Sequence, residues 1–157
     1  MDFNRFISRR LHEEHEATLT LWGRLEQALA TRGSRPPAPE DIELLRRCAA
    51  QLADEVTRHF AFEETELFPR LDAAGEGDIA ELLAEEHATI RRAAQRFTDL
   101  TQPSKDPSTA WPELRALALE LAERLVSHVQ KEEMSLLPSL EDLLDEETDL
   151  ALAGSYA

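Results

Sequence analysis

Apolar residues recur along this chain in steps of three and four, in four separate stretches. The first, over about residues 3–30, runs Leu11, His15, Thr18, Trp22, Leu25 and Leu29. The second, over about 39–69, runs Leu45, Ala49, Leu52, Val56, His59, Glu63 and Leu67. The third, over about 78–100, carries Leu83, His87, Ile90, Ala94 and Phe97. The fourth starts near Ala110 to Pro112, reaches Pro138, and carries Leu114, Leu117, Leu121, Leu125, His128, Glu132 and Leu136. Such spacing places each set on one face of a helix. Four amphipathic helices with short connections predict an all-α bundle.

The punctuation agrees. The run Arg32-Gly33-Ser34-Arg35-Pro36-Pro37-Ala38-Pro39 ends the first helix. Pro39 opens the second, with Glu40 and Asp41 suited to the positive end of its dipole. Gly75 and Gly77 break the chain again, and Asp78 with Glu81 reads as a capping box for the third helix. Pro103 to Pro107 is a loop. The segment from Leu140 to Ala157 is strongly acidic and is expected to add a helical turn or two and then fray. The domain organisation read from this is a bundle over 1–140 and an acidic C-terminal extension over 141–157.

Six of the stripe positions are ionisable: His15, His59, Glu63, His87, His128 and Glu132. Burying an unpartnered charged group costs on the order of several kcal/mol. A fold accepts six such groups if they hold cations, because carboxylates and neutral imidazoles then satisfy a common centre. The motif supports this. His59-x3-Glu63 leads into Leu67-Phe68-Pro69, and His128-x3-Glu132 leads into Leu136-Leu137-Pro138. Residues four apart stack on one helix face. A single His-x3-Glu is commonly a solvated pair, but two copies on apolar stripes with matching Leu-x-Pro tails are not explained that way. Leu11-His12-Glu13-Glu14-His15 also resembles Leu83-Ala84-Glu85-Glu86-His87. The offsets agree, 72 positions between His15 and His87 and 69 between His59 and His128. The chain therefore reads as two helical hairpins whose polar sets face each other across the core.

Other residues carry quieter readings. His12 has Ala84 as its repeat counterpart and lies one residue off the first stripe, so it is read as a rim or outer-layer residue. Glu13, Glu14, Glu64, Glu85, Glu86 and Glu133 are read mostly as solvated, with one or two accepting a hydrogen bond from a ring nitrogen of the core histidines. Trp22, Phe60, Phe62 and Phe97 are core packing, and Pro69 and Pro138 are expected to end or kink their helices. Cys48 is the only cysteine and is read as a small buried hydrophobe. The net charge of −15 argues against nucleic acid or an anionic membrane as partner. No stretch is apolar enough to span a bilayer, and a soluble, cytoplasmic protein is expected. There is no Gly-rich phosphate loop, no Cys-x2-Cys and no nucleophile in a recognisable setting.

The ordered set His15, His59-x3-Glu63, His87, His128-x3-Glu132 resembles the hemerythrin-like HHE cation-binding family over nearly the whole chain, from about Leu11 to Leu140. The resemblance implies an up-down-up-down four-helix bundle around a non-haem di-iron centre. It implies that Glu63 and Glu132 bridge two iron ions, with His15 and His59 on one, His87 and His128 on the other, and an oxo or hydroxo bridge completing the pair. Zinc and manganese also suit such donors. The chain departs from the oxygen carriers of the family at Leu83, where those proteins place a further histidine. The expected function is binding of a diatomic ligand such as oxygen or nitric oxide for sensing or storage, with an unknown protein as possible further partner. The alternatives are a redox enzyme acting on peroxide or nitric oxide, an iron-handling or repair protein, and a storage or interaction module with a structural metal.

Overall fold

The computed structural model describes residues 2–156; Met1 and Ala157, the outermost residues of the two predicted segments, lie outside the described residues. Four long helices form the bundle: α1 (Phe6–Arg32), α2 (39–73), α3 (Gly77–Thr101) and α4 (111–143). A fifth, α5 (Glu146–Ser155), follows a two-residue break. No strand occurs among the described residues. Helix α1 packs on α2 and α4, and α3 packs on the same two. The residues that meet fix the directions. Ile7 and Leu11 of α1 share a cluster with Leu67 and Leu71 of α2, Leu83 of α3 and Leu136 of α4. Trp22 and Leu29 meet Leu45, Phe97 and Leu114 in another. Neighbouring helices therefore run antiparallel, in the expected up-down-up-down order.

Local chemistry explains the connections. Gly33, at φ 63°, takes the left-handed conformation that closes α1, and its N–H reaches the Leu29 carbonyl. Pro39 occupies the first turn of α2, where a missing N–H costs nothing. Asp41 accepts from the Ala38 N–H at 2.9 Å and pairs with Arg32 at the same distance, tying the start of α2 to the end of α1. Gly75, at φ 86°, makes the turn into α3. The capping box expected at Asp78 is not formed: α3 begins one residue earlier, and its N-cap is Glu76 with no side-chain bond.

Pro69 and Pro138 do not end their helices, which run on to Ala73 and Leu143. Just before each proline the helix widens by one residue. Phe68 N–H bonds to the Glu63 carbonyl and Leu137 N–H to the Glu132 carbonyl, five residues back rather than four. The wide turn absorbs the proline, whose ring otherwise collides with the preceding turn. A third wide turn, Phe60 N–H to the Glu55 carbonyl, precedes His59-x3-Glu63. It has no counterpart on α4, which is regular up to Lys131.

The C-terminal segment differs most from expectation. It forms a ten-residue helix docked on α1. Asp145 caps it, accepting from Thr148 N–H at 2.7 Å. Asp149, 3 % exposed, then accepts from the Phe6 and Ile7 N–H groups at 2.9 and 3.0 Å. Glu141 accepts from Arg5 N–H at 2.8 Å and from Asn4 N–H. The first N–H groups of α1, which have no partner within their own helix, are thus capped by acids more than a hundred positions away. Glu141, Asp145 and Asp149 thus serve as caps, while Asp142, Glu146 and Glu147 stay exposed. Replacing Asp149 by Ala should cost about 1–2 kcal/mol and lower the melting temperature by roughly 2–6 °C. Calorimetry checks this, and an unchanged midpoint would show that α5 contributes nothing to the bundle.

Candidate metal centre

The two apolar clusters do not merge into one core, because a polar layer lies between them. His15 comes from α1, His59 and Glu63 from α2, His87 from α3, and His128 and Glu132 from α4, and none is more than 2 % exposed. Their donor atoms form two groups. One is His15, His59, Glu63 and Glu132; the other is Glu63, His87, His128 and Glu132, and within each group the atoms lie within 4.8 Å of one another. Both carboxylates belong to both groups.

The spacings suit cations. His15 Nε2 lies 3.1 Å from Glu132 Oε1, and His59 Nε2 lies 3.2 Å from Glu63 Oε2. His87 Nε2 is 3.2 Å from Glu63 Oε1, and His128 Nε2 is 3.3 Å from Glu132 Oε1. Two donors on one ion, each about 2.1 Å from it at tetrahedral or octahedral angles, stand about 3.0–3.4 Å apart. Glu63 Oε1 and Glu132 Oε2 are buried and accept no hydrogen bond. Such orphaned acceptors carry a large cost unless a cation meets them.

Every histidine of the layer has its other nitrogen tied to a glutamate. His15 Nδ1 donates to Glu133 at 2.9 Å, His59 Nδ1 to Glu14 at 3.1 Å, His87 Nδ1 to Glu64 at 2.6 Å and His128 Nδ1 to Glu86 at 2.9 Å. With the proton on Nδ1, each neutral ring turns a lone pair on Nε2 inward. His87 Nε2 and His128 Nε2 lie 3.1 Å apart, close enough to share a proton or to meet one ion. The glutamates are held in turn. Arg58 and Arg10 bind Glu14, Arg91 binds both oxygens of Glu64, Lys131 binds Glu86, and His12 binds Glu133.

The family model described as the Hemerythrin HHE cation binding domain matches residues 7–140. The chain belongs to this family. No match was found among curated proteins. Within this HHE domain, Leu83 is 1 % exposed and packs in the apolar cluster beside the polar layer, so no nitrogen stands where the oxygen carriers are expected to have one. Each half of the layer holds two histidines.

Electrostatics bind the layer together. Burial opposes a charge on His15, but Glu132 and Glu133 outweigh it and lift its pKa to about 9. Burial likewise opposes a charge on His128, and Glu132 and Glu86 lift it to about 10. His59 is raised well above the ordinary range by Glu63 and Glu14 against its burial. Burial pushes Glu132 up, yet His128 and His15 hold it well below the usual carboxylate range. In the metal-free protein the neighbouring glutamates thus favour the protonated rings of His15, His59 and His128.

Four of the six flanking glutamates orient histidines, where one or two were expected; Glu13 and Glu85 are exposed, as their positions on the outer face require. His12 stands outside both groups, on Glu133 and, at 2.9 Å, on Glu16. Glu55 was missed. The stripe points to Val56, but the wide turn rotates Glu55 inward to 4 % exposure, its carboxyl 3.3 Å from His59 Nδ1 and its pKa raised by burial. The spacing of Glu55 to His59, again four residues, was the available signal. Phe60 stacks on His87 with centroids 3.8 Å apart and planes 2° from parallel, while Trp22 packs on Phe97 and donates to Gln51 at 2.8 Å. Cys48 is buried, its thiol pushed up to about 12 by burial. No helix among the described residues is long and apolar enough to cross a membrane.

The raised histidines fix a pH dependence. Their stabilising protons are fully present below the ordinary imidazole pKa of 6.5 and are lost as pH rises through about 9 and about 10. The metal-free protein should therefore melt at a lower temperature at a pH of about 10.5 than at about 7. At neutral pH, zinc uptake should release protons, read by calorimetry in buffers of different ionisation heat. Uptake with no proton release would mean that the rings are already neutral.

Proposed function

We propose that this HHE-domain protein holds a non-haem pair of iron ions and binds a diatomic ligand such as oxygen or nitric oxide, for sensing or storage. The observation that carries the reading is the pair of buried four-donor groups with two carboxylates in common. In this reading His15 and His59 would hold one ion and His87 and His128 the other, with Glu63 and Glu132 available to both. Four protein donors per ion leave coordination positions open for a small ligand. Histidine and carboxylate also accept zinc and manganese, and the choice of iron rests on the family. Iron held by these residues would supply the redox chemistry that binding of such a ligand calls for.

The protein's own part is to keep the centre dry and its donors aimed. Leu11, Leu67, Leu83 and Leu136 close one side of the layer, and Trp22, Leu52, Phe60 and Leu125 the other. The outer glutamates set which nitrogen of each ring faces inward. A second reading is turnover of peroxide or nitric oxide. Leu83 favours it, because leaving both ions equally under-coordinated suits exchange of ligands as well as their retention.

Metal analysis of freshly purified protein should give a pair of irons per chain. The reduced protein should change its absorption reversibly on exposure to oxygen or nitric oxide. Replacing Glu63 or Glu132 by Ala should weaken metal binding by more than about 100-fold, beyond the loss typical of outer partners. A single zinc per chain, unchanged by either substitution, would refute the paired centre. Steady consumption of the added ligand would favour the enzyme.

A further inference from the structure

The two halves of the centre come from matching hairpins, yet their surroundings differ on one side. Tyr156 follows α5, outside the stretch that matches the family model. It is 6 % exposed and donates from its hydroxyl to Glu14 Oε1 at 2.7 Å. That same oxygen accepts from His59 Nδ1 at 3.1 Å. The Tyr156 ring meets His59 edge-on at 6.5 Å, packs on Phe62 at 4.4 Å and lies under Arg58 at 4.9 Å. The other three outer glutamates have no such cover. Their partners are side chains open to water: His12 at 31 %, Arg91 at 37 % and Lys131 at 44 % exposure. Glu14 is also the least exposed of the four, at 14 % against 21–28 %.

We propose that Tyr156 is a positioning residue for the His15/His59 half of the centre, an inference that rests on the two-ion reading above. Its hydroxyl fixes Glu14, Glu14 aims His59, and its ring keeps water from that edge of the layer. Among the described residues no hydroxyl plays this part on the His87/His128 half, where Arg91 and Lys131 hold Glu64 and Glu86 and Phe60 stacks on His87. The two bound ions are therefore unequal: the one under Tyr156 is the more tightly retained for its surroundings. The contact is held by the docking of α5, in which Asp149 caps α1. The tail thereby acts on the centre from outside the family domain.

The test uses the full chain loaded with cobalt(II) and measures cobalt departure into excess chelator. Outer-layer losses cost about 10–100-fold in metal affinity, and Tyr156 acts one bond further out, so the low end applies. Tyr156→Ala should make one cobalt leave about tenfold faster and the other at the wild-type rate. Tyr156→Phe, which keeps the ring and the packing, should retain the melting temperature, speed the same cobalt about threefold, and shift the visible spectrum of that site. Lys131→Ala should speed the other cobalt, and the double variant both. Equal acceleration of both ions by Tyr156→Ala, or wild-type behaviour of Tyr156→Phe, overturns the proposal. The second result would reduce Tyr156 to packing. A wild-type protein that holds one cobalt overturns the two-ion reading along with it; two cobalts indifferent to Tyr156→Phe overturn this inference alone.

Discussion

Four imidazoles and two carboxylates lie in one layer across the middle of the bundle, shut away from water, and the rest of the structure is arranged around that fact. A layer of this kind divides the hydrophobic core in two. It brings opposite charges into contact where water cannot screen them, so neither set can be removed alone without leaving the other stranded. The pairing of carboxylate and ring joins all four helices at one level, between the leucines above and below. Cations at this layer would complete an arrangement that protons already stabilise in part.

A layer so charged needs a second one to aim it. Glu14, Glu64, Glu86 and Glu133 each accept a hydrogen bond from one ring N–H, and each is held further out by an arginine, a lysine or, at Glu133, His12. The result grades from an apolar interior through aimed donors to a solvated rim. Part of the chain's acidity is thereby used: Glu55, Glu63 and Glu132 face inward, Glu14, Glu64, Glu86 and Glu133 orient rings, and Glu141 and Asp149 cap α1.

Symmetry and its breaking both matter. The wide turns ahead of Pro69 and Pro138 are equivalent, and they let two helices pass a proline while holding a core glutamate at the start of the turn. The wide turn at Glu55 and the docking of α5 occur on one half only. Both additions fall beside His59. A duplicated hairpin would by itself yield two like halves; what distinguishes them includes an extra residue in one helix, a docked C-terminal helix, His12 on Glu133 and Phe60 stacked on His87.

How much was legible follows from the range of each interaction. The helices, the polar stripe positions and the doubled His-x3-Glu spacing are local or periodic, and a linear reading recovers them because residues four apart must share a helix face. The inward placement of His15, His59, Glu63, His87, His128 and Glu132 followed from the company each keeps on its stripe. The identity of the ring-orienting glutamates was hidden, because all six flankers look alike in sequence and only helix rotation sends Glu14 inward and Glu13 outward. Glu55 was hidden because a widened turn shifts the register that periodicity assumes. The tail was misread as fraying because Asp149 and Tyr156 find partners only across the fold. The sequence thus determined the bundle and the chemistry of its middle, since those rest on repeated short-range spacing. The tertiary structure alone decided which acids aim which rings and where the chain's end comes to rest, since those contacts join residues more than twenty and up to about 140 positions apart.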